Sequence, residues 1–104
     1  MGWFSVDSDQ AQAYDEIKNA PHNAELSYEL VGNAAAYEAA TMYEDHVANN
    51  GQPDSNAEAE EILKSFIGVV VDRQVETMRL DSGDKQKAEV FGLQQVEEAR
   101  KMNE

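Results

Sequence analysis

The residues in this chain that could do chemistry are few and scattered. There are two histidines, His22 and His46, and no cysteine, so disulfides, thiolate metal sites and cysteine nucleophiles are excluded. If both histidines lie on one straight helix, 24 residues of separation place them about 36 Å apart, too far to share a metal within one chain. Around His46 the Glu-x-x-His spacing of helical di-metal sites fails, because Tyr43 stands where the acid is needed. Glu44 and Asp45, its immediate neighbours, point away from it on a helix. His22 therefore reads as part of a helix entry. His46 reads as a surface residue near a helix C-terminus, where a partly charged imidazole suits the dipole. A metal-dependent enzyme using His22 or His46 stays the weaker alternative. No phosphate-binding loop, dinucleotide fingerprint or Gly-x-Ser-x-Gly elbow occurs. Carboxylates are so abundant that no pair stands out, and acid–base work would need a concave apolar site to separate their pKa values. No catalytic residue, cofactor site or metal site is assigned, and the chain is expected not to be an enzyme.

Six residues remain as interaction or polar-network candidates: Trp3, Phe4, His22, Tyr37, Arg73 and Glu76. Trp3 and Phe4 precede the first helix and could either cover one end of a bundle or form an exposed sticky tip. Tyr37 belongs to a helical aromatic set in which a ring packs and the hydroxyl stays at the rim. Arg73 can pair with Glu76 one turn on, as Glu76 can with Arg79. A buried Arg73 reaching into the acidic first half would be the more informative arrangement.

That acidity is uneven. Of 104 residues, 21 are Asp or Glu and 8 are Lys or Arg, a net charge of −13. Residues 1–61 hold 13 acids and a single base, Lys18; residues 62–104 hold 8 acids and 7 bases. The first half repels itself and should pack better against the second half than against a copy of itself. Nucleic-acid backbones are not an expected partner, since they need clustered cations. No run approaches the 18 or more apolar residues of a membrane span, and the start lacks a signal-peptide pattern. A soluble, cytoplasmic protein is expected.

The elements that must position these residues read as helices. Ser8 or Asp7 caps a first helix over 8–19, with Asp9 in its first turn. A second runs from His22 to Asn49. Leu26, Leu30, Ala34, Tyr37, Ala40, Tyr43 and Val47 recur along it at a helical mean of 3.5, and Asn49-Asn50-Gly51 stops it. Ser55-Asn56-Ala57-Glu58 is a capping box that opens a third helix after Pro53. It carries Phe66-Ile67-Gly68-Val69-Val70-Val71, whose β-branched content would also suit a buried strand. The upstream cap and the 3.6-residue period through Ile62, Phe66, Val70 and Met78 favour a helix, apolar all round and therefore central. Gly68 would permit close approach of a neighbour. After the 80–84 turn, a fourth helix over 84–102 carries Val90, Leu93, Val96, Ala99 and Met102, weakened by Gly92. The fold class is all-α: one domain, residues 1–104, a bundle of about four helices with two long antiparallel central ones.

Several segments together resemble a known family. They begin with Met1-Gly2-Trp3-Phe4, Asp7-Ser8-Asp9-Gln10-Ala11-Gln12-Ala13-Tyr14 and Ala20-Pro21-His22-Asn23-Ala24-Glu25-Leu26-Ser27. Ala35-Ala36-Tyr37-Glu38-Ala39-Ala40, Gly51-Gln52-Pro53, Asp72-Arg73-Gln74-Val75-Glu76-Thr77 and Leu80-Asp81 follow in order. This succession resembles the fungal CipC-like proteins, the concanamycin-induced or antibiotic-response family. The resemblance implies a fungal, cytoplasmic protein that accumulates under stress, and it implies no catalytic residues. A phosphoglycerate-mutase label sometimes given to such proteins does not fit, for there is no Arg-His-Gly motif. The expected function is non-enzymatic, by binding a protein or small apolar ligand, with a homodimer as a structural alternative.

Overall fold

The computed structural model describes residues 4, 5, 7–20, 26–77 and 82–102. Four helices account for most of them: α1 (Asp9–Lys18), α2 (Tyr28–Asn50), α3 (Asn56–Thr77) and α4 (Ser82–Met102). There is no strand among the described residues.

Serine starts three of the helices in the same way. The hydroxyls of Ser8, Ser27 and Ser55 accept from the backbone N–H three residues on, at Ala11, Leu30 and Glu58, each at 3.1 Å. Each satisfies one of the four donors that a helix start leaves without a partner. Ser8 and Ser55 were legible as caps. Ser27 moves the start of α2 well past His22, which itself lies outside the described residues. Leu26 therefore precedes the helix rather than opening its seam. The stop at Gly51 is as expected: at φ +83° its N–H donates to Val47 O, 2.8 Å away, a backbone that side-chain-bearing residues rarely adopt.

The hub of the bundle is α2, which packs against each of the other three helices, while α3 packs against α2 and α4. This differs from the expectation that the apolar α3 would be the spine. Successive residues on a helix sit about 100° apart, so three buried in a row cover more than half the circumference. Ala34, Ala35 and Ala36 are all buried, as are Val31, Ala39 and Ala40. Only a helix sheathed on several sides shows this, and only side chains as small as alanine let three neighbours come so near. The bulk comes from elsewhere: four of the six largest fully buried side chains, Leu63, Ile67, Val70 and Val71, belong to α3. The Phe66–Val71 block is helical, but it is not apolar-buried all round, since Val69 is 54% exposed.

Contacts fix the directions. Glu38 meets Arg73 and His46 meets Phe66, so α2 and α3 are antiparallel across the 51–55 loop. Asp72 meets Lys85, and a methyl at Gly92 would touch Ile67, so α3 and α4 are antiparallel too. It follows that α2 and α4 run in the same sense. They do so at close quarters, because the Gly32 and Gly92 backbones cross: a Cβ on Gly92 would lie 2.9 Å from Gly32 O. Gly68, expected to be the point of close approach, is not; a methyl there would meet only Glu89 Oε1, at an ordinary 3.5 Å. Gly92 serves the crossing instead, which outweighs the roughly 1 kcal/mol that glycine costs a helix interior.

Candidate functional site

Two of the concavities that the described residues line concern the predicted site residues and the helix ends. One lies at the end of the bundle beside the 51–55 loop, about 370 Å³, and is lined by Tyr43, Pro53, Asn56 and Arg100 among others. Its polar side chains are engaged with one another: Arg100 Nη2 donates to Asn56 Oδ1 at 2.6 Å, and Ser55 caps α3. The other, about 170 Å³, lies where α1 and α3 straddle α2 and is lined by Tyr14, Ile17, Lys18, Ala34, Glu38, Arg73 and Gln74.

The second is the better candidate, and its parts follow from the packing. Residues Gln10 and Asn33, then Tyr14 and Tyr37, pair along α1 and α2, so the two helices advance together and Lys18 arrives near Glu38. The α1 face supplies buried Ile17, and α2 supplies buried Ala34, which together make an apolar floor. The short alanine leaves space that a leucine would fill. From α3, Arg73 crosses to Glu38 and forms an ion pair with its carboxylate. Arg73 thus reaches the acidic half of the chain, yet it is not buried: its side chain is 54% exposed, against 23% for Glu38. An exposed pair of this kind contributes at most about 1 kcal/mol, so its interest lies in where it puts charge.

Gln74 also lines the crevice, but its Oε1 is turned away from any accessible space and is the one buried side-chain polar atom among the described residues without a hydrogen-bond partner. Such an acceptor costs about 1–3 kcal/mol of lost hydration. Native proteins leave few of them, so each asks for an explanation. The crevice therefore offers an apolar floor of Ile17 and Ala34 with ionic groups beside it.

The sequence candidates fall out as follows. Trp3 and His22 lie outside the described residues. Phe4 is half-buried and packs on the core. Tyr37 is half-buried and its ring lies 5.2 Å from that of Tyr14, tilted by 38°, so it backs a wall of the crevice. Glu76 is exposed near the end of α3. His46 is half-buried rather than on the open surface, with its ring edge-on to Phe66 at 6.1 Å, because antiparallel α3 brings Phe66 beside it. Among the described residues no three His, Asp or Glu side chains gather where they could share a metal ion. Nor is any helix among them long and apolar enough to cross a membrane.

Sequence reasoning missed Gln74 and Gln10. Gln10 Nε2 donates both to Asn33 Oδ1 at 3.3 Å and to Gln95 Oε1 at 2.8 Å, tying α1 to α2 and α4. A lone glutamine at a helix position carries no spacing signal, so neither role was visible before the helices were placed. Lys18 did carry one: it is the sole base in the first 61 residues.

A family model described as "Virulence factor CipC-like" matches residues 13–103. Comparison with curated proteins and with solved structures gave no match to the chain.

Proposed function

Since the chain belongs to the CipC-like family, we propose that it is a non-enzymatic stress- and antibiotic-response protein of the cytoplasm that works by holding a small molecule between α1, α2 and α3. The observation that carries this reading is the crevice of about 170 Å³ itself, floored by buried Ile17 and Ala34 and edged by charged side chains. A bundle that needed only stability would fill the space, because side chains left without neighbours lose packing contacts. The polar rim narrows the expected apolar ligand to one with an apolar body and a polar end. At about 170 Å³ the space lies well below that of pockets for drug-sized molecules, roughly 300–1,000 Å³.

A fragment screen by NMR on the full chain tests this. Binders should shift the amide signals of Ile17, Ala34 and Gln74, raise the melting temperature and stay chemically unchanged over hours. Binding that maps elsewhere would remove the crevice, and conversion of a bound molecule would remove the non-enzymatic reading. A second reading, association of two copies, is favoured by Val69 and Val90, each 54% exposed on α3 and α4; sedimentation across a concentration series distinguishes it.

A further inference from the structure

The Asn50-Gly51 pair that stops α2 also has a chemistry of its own. Only Asn50, of the asparagines in this chain, precedes a glycine; the others precede Ala, Asn or Glu. An asparagine can lose its side-chain ammonia when the next backbone nitrogen reaches its side-chain carbon, and a following glycine, having no Cβ, obstructs that approach least. Asn50 is the last residue of α2 and is exposed, and no neighbour stands within 4 Å of where a Cβ on Gly51 would be. Two hydrogen bonds close the site in the folded chain. Gly51 N–H donates to Val47 O at 2.8 Å, and Asn50 Nδ2 donates to His46 O at 3.1 Å, with His46 Nδ1 at 3.4 Å. Both bonds span the final turn of α2, so unwinding that turn releases the nitrogen and the amide together. Helix ends open at little cost in free energy, and this one has no basic residue in its last turn to steady the dipole.

We infer that Asn50 is a site of spontaneous deamidation, gated by the last turn of α2. With the turn open, the Gly51 nitrogen gives its proton to solvent base and attacks Asn50 Cγ. The N–Cγ bond forms, the Cγ–Nδ2 bond breaks, and the amide nitrogen takes a proton from solvent and leaves as ammonia. A five-membered succinimide remains. Water then opens it at either of its two carbonyls. One opening leaves aspartate; the other leaves isoaspartate, in which the main chain runs through the side-chain carbons. Nothing is oxidised or reduced. Either product puts a new carboxylate at the C-terminal end of α2, where the dipole disfavours negative charge. Isoaspartate also lengthens the main chain just before Gly51, whose φ of +83° and bond to Val47 O close the helix. The modified chain therefore holds this turn less well than its parent. The site lies at the 51–55 loop, and it is independent of what the crevice between α1, α2 and α3 binds.

The test holds the full chain in warm neutral buffer for days to weeks, digests samples at intervals and follows each asparagine by mass spectrometry, with aspartyl and isoaspartyl peptides separated by chromatography. Asn50 should convert fastest, with isoaspartate in excess. Its rate should lie about thirtyfold below that of the same chain unfolded in urea, the equivalent of two hydrogen bonds at about 2 kcal/mol together. It should also stay nearly flat across urea concentrations below the unfolding midpoint, as local opening requires. A native rate several thousandfold below the unfolded one, or one that climbs with urea in step with global unfolding, would mean that the whole domain must open and would overturn the gate. A native rate equal to the unfolded one would overturn it too, by showing that the turn does not close the site. No preference for Asn50 over the other asparagines in the folded chain would overturn the site itself. Gly51→Ala should lower the rate at Asn50 severalfold in the unfolded chain, where the helix end plays no part; an unchanged rate there would overturn the role given to Gly51.

Discussion

Replacing glycine by alanine inside a helix usually stabilises it by about 0.8–1 kcal/mol, because alanine loses less backbone freedom on folding. In this bundle the same change should have opposite signs at two glycines. At Gly68 the new methyl meets only Glu89 Oε1, 3.5 Å away, so nothing opposes the intrinsic gain. Gly68→Ala should raise stability by up to about 1 kcal/mol, a melting rise of up to roughly 4–8 °C for a domain of this size. At Gly92 the methyl would sit 2.9 Å from Gly32 O and 3.3 Å from Ile67 Cδ1. Ordinary contact begins near 3.4 Å, so α2 and α4 must part by about half an ångström, and a backbone oxygen cannot rotate out of the way. Overpacking of this kind costs about 1–3 kcal/mol. Set against the propensity gain, Gly92→Ala should lose up to about 2 kcal/mol net and melt up to roughly 8–16 °C lower. Gly32→Ala faces the same crossing from the other side, at 3.0 Å from Ala88 O and 3.2 Å from Gly92 N, and should behave alike. Urea and thermal unfolding followed by circular dichroism measure all three. A Gly92→Ala protein stabilised as much as Gly68→Ala would refute the close α2–α4 crossing, and with it the alanine-sheathed hub.

Leu63, fully buried, should cost about 2–5 kcal/mol when cut to alanine, a large part of the 5–15 kcal/mol typical of a domain; urea unfolding reads it. Ser27→Ala should cost about 1 kcal/mol by uncapping α2, and an unchanged midpoint would show that α2 starts elsewhere. The hydrogen bond from Lys85 to Asp72, and then the attraction of that carboxylate, hold the Lys85 pKa above its ordinary value. Its stabilising effect is therefore fully present below the ordinary lysine pKa and fades as pH rises through the raised one. Asp72→Asn should lower the Lys85 pKa, seen by NMR titration of its side chain. Moderate salt should raise the melting temperature by screening repulsion among the 13 acids of residues 1–61; a fall would mean that the exposed Glu38–Arg73 and Asp72–Lys85 pairs outweigh that repulsion.

Much of the architecture was readable because it rests on local chemistry. Ser8, Ser55 and Gly51 act through neighbours three or four residues away, so the pattern that encodes them is short. The start of α2 was misplaced because Leu26 fits the helical period, and the hydroxyl of Ser27 weighs more than one apolar residue. The hub was missed for a different reason. Hydrophobicity marked α3, but position at the centre depends on how closely helices can approach, and alanine permits that without advertising it. Arg73 could be singled out by the charge asymmetry, yet its partner Glu38 is 35 positions away. The crevice exists only because α1 and α3 flank the same stretch of α2, which no local spacing records.

One consequence of the packing concerns α1. It is ten residues long and packs on α2, with Gln10 reaching Gln95 as its tie to α4. A ten-residue helix is marginal in water by itself, so it is the element that can detach at least cost while the three longer rods remain assembled. Its amides should exchange with deuterium through partial opening, well before those of Val31 or Val70, which need the whole domain to unfold. Each such excursion would carry off Ile17 and Lys18 together, and the rate at which a bound molecule comes and goes would follow the fraying of a single short helix.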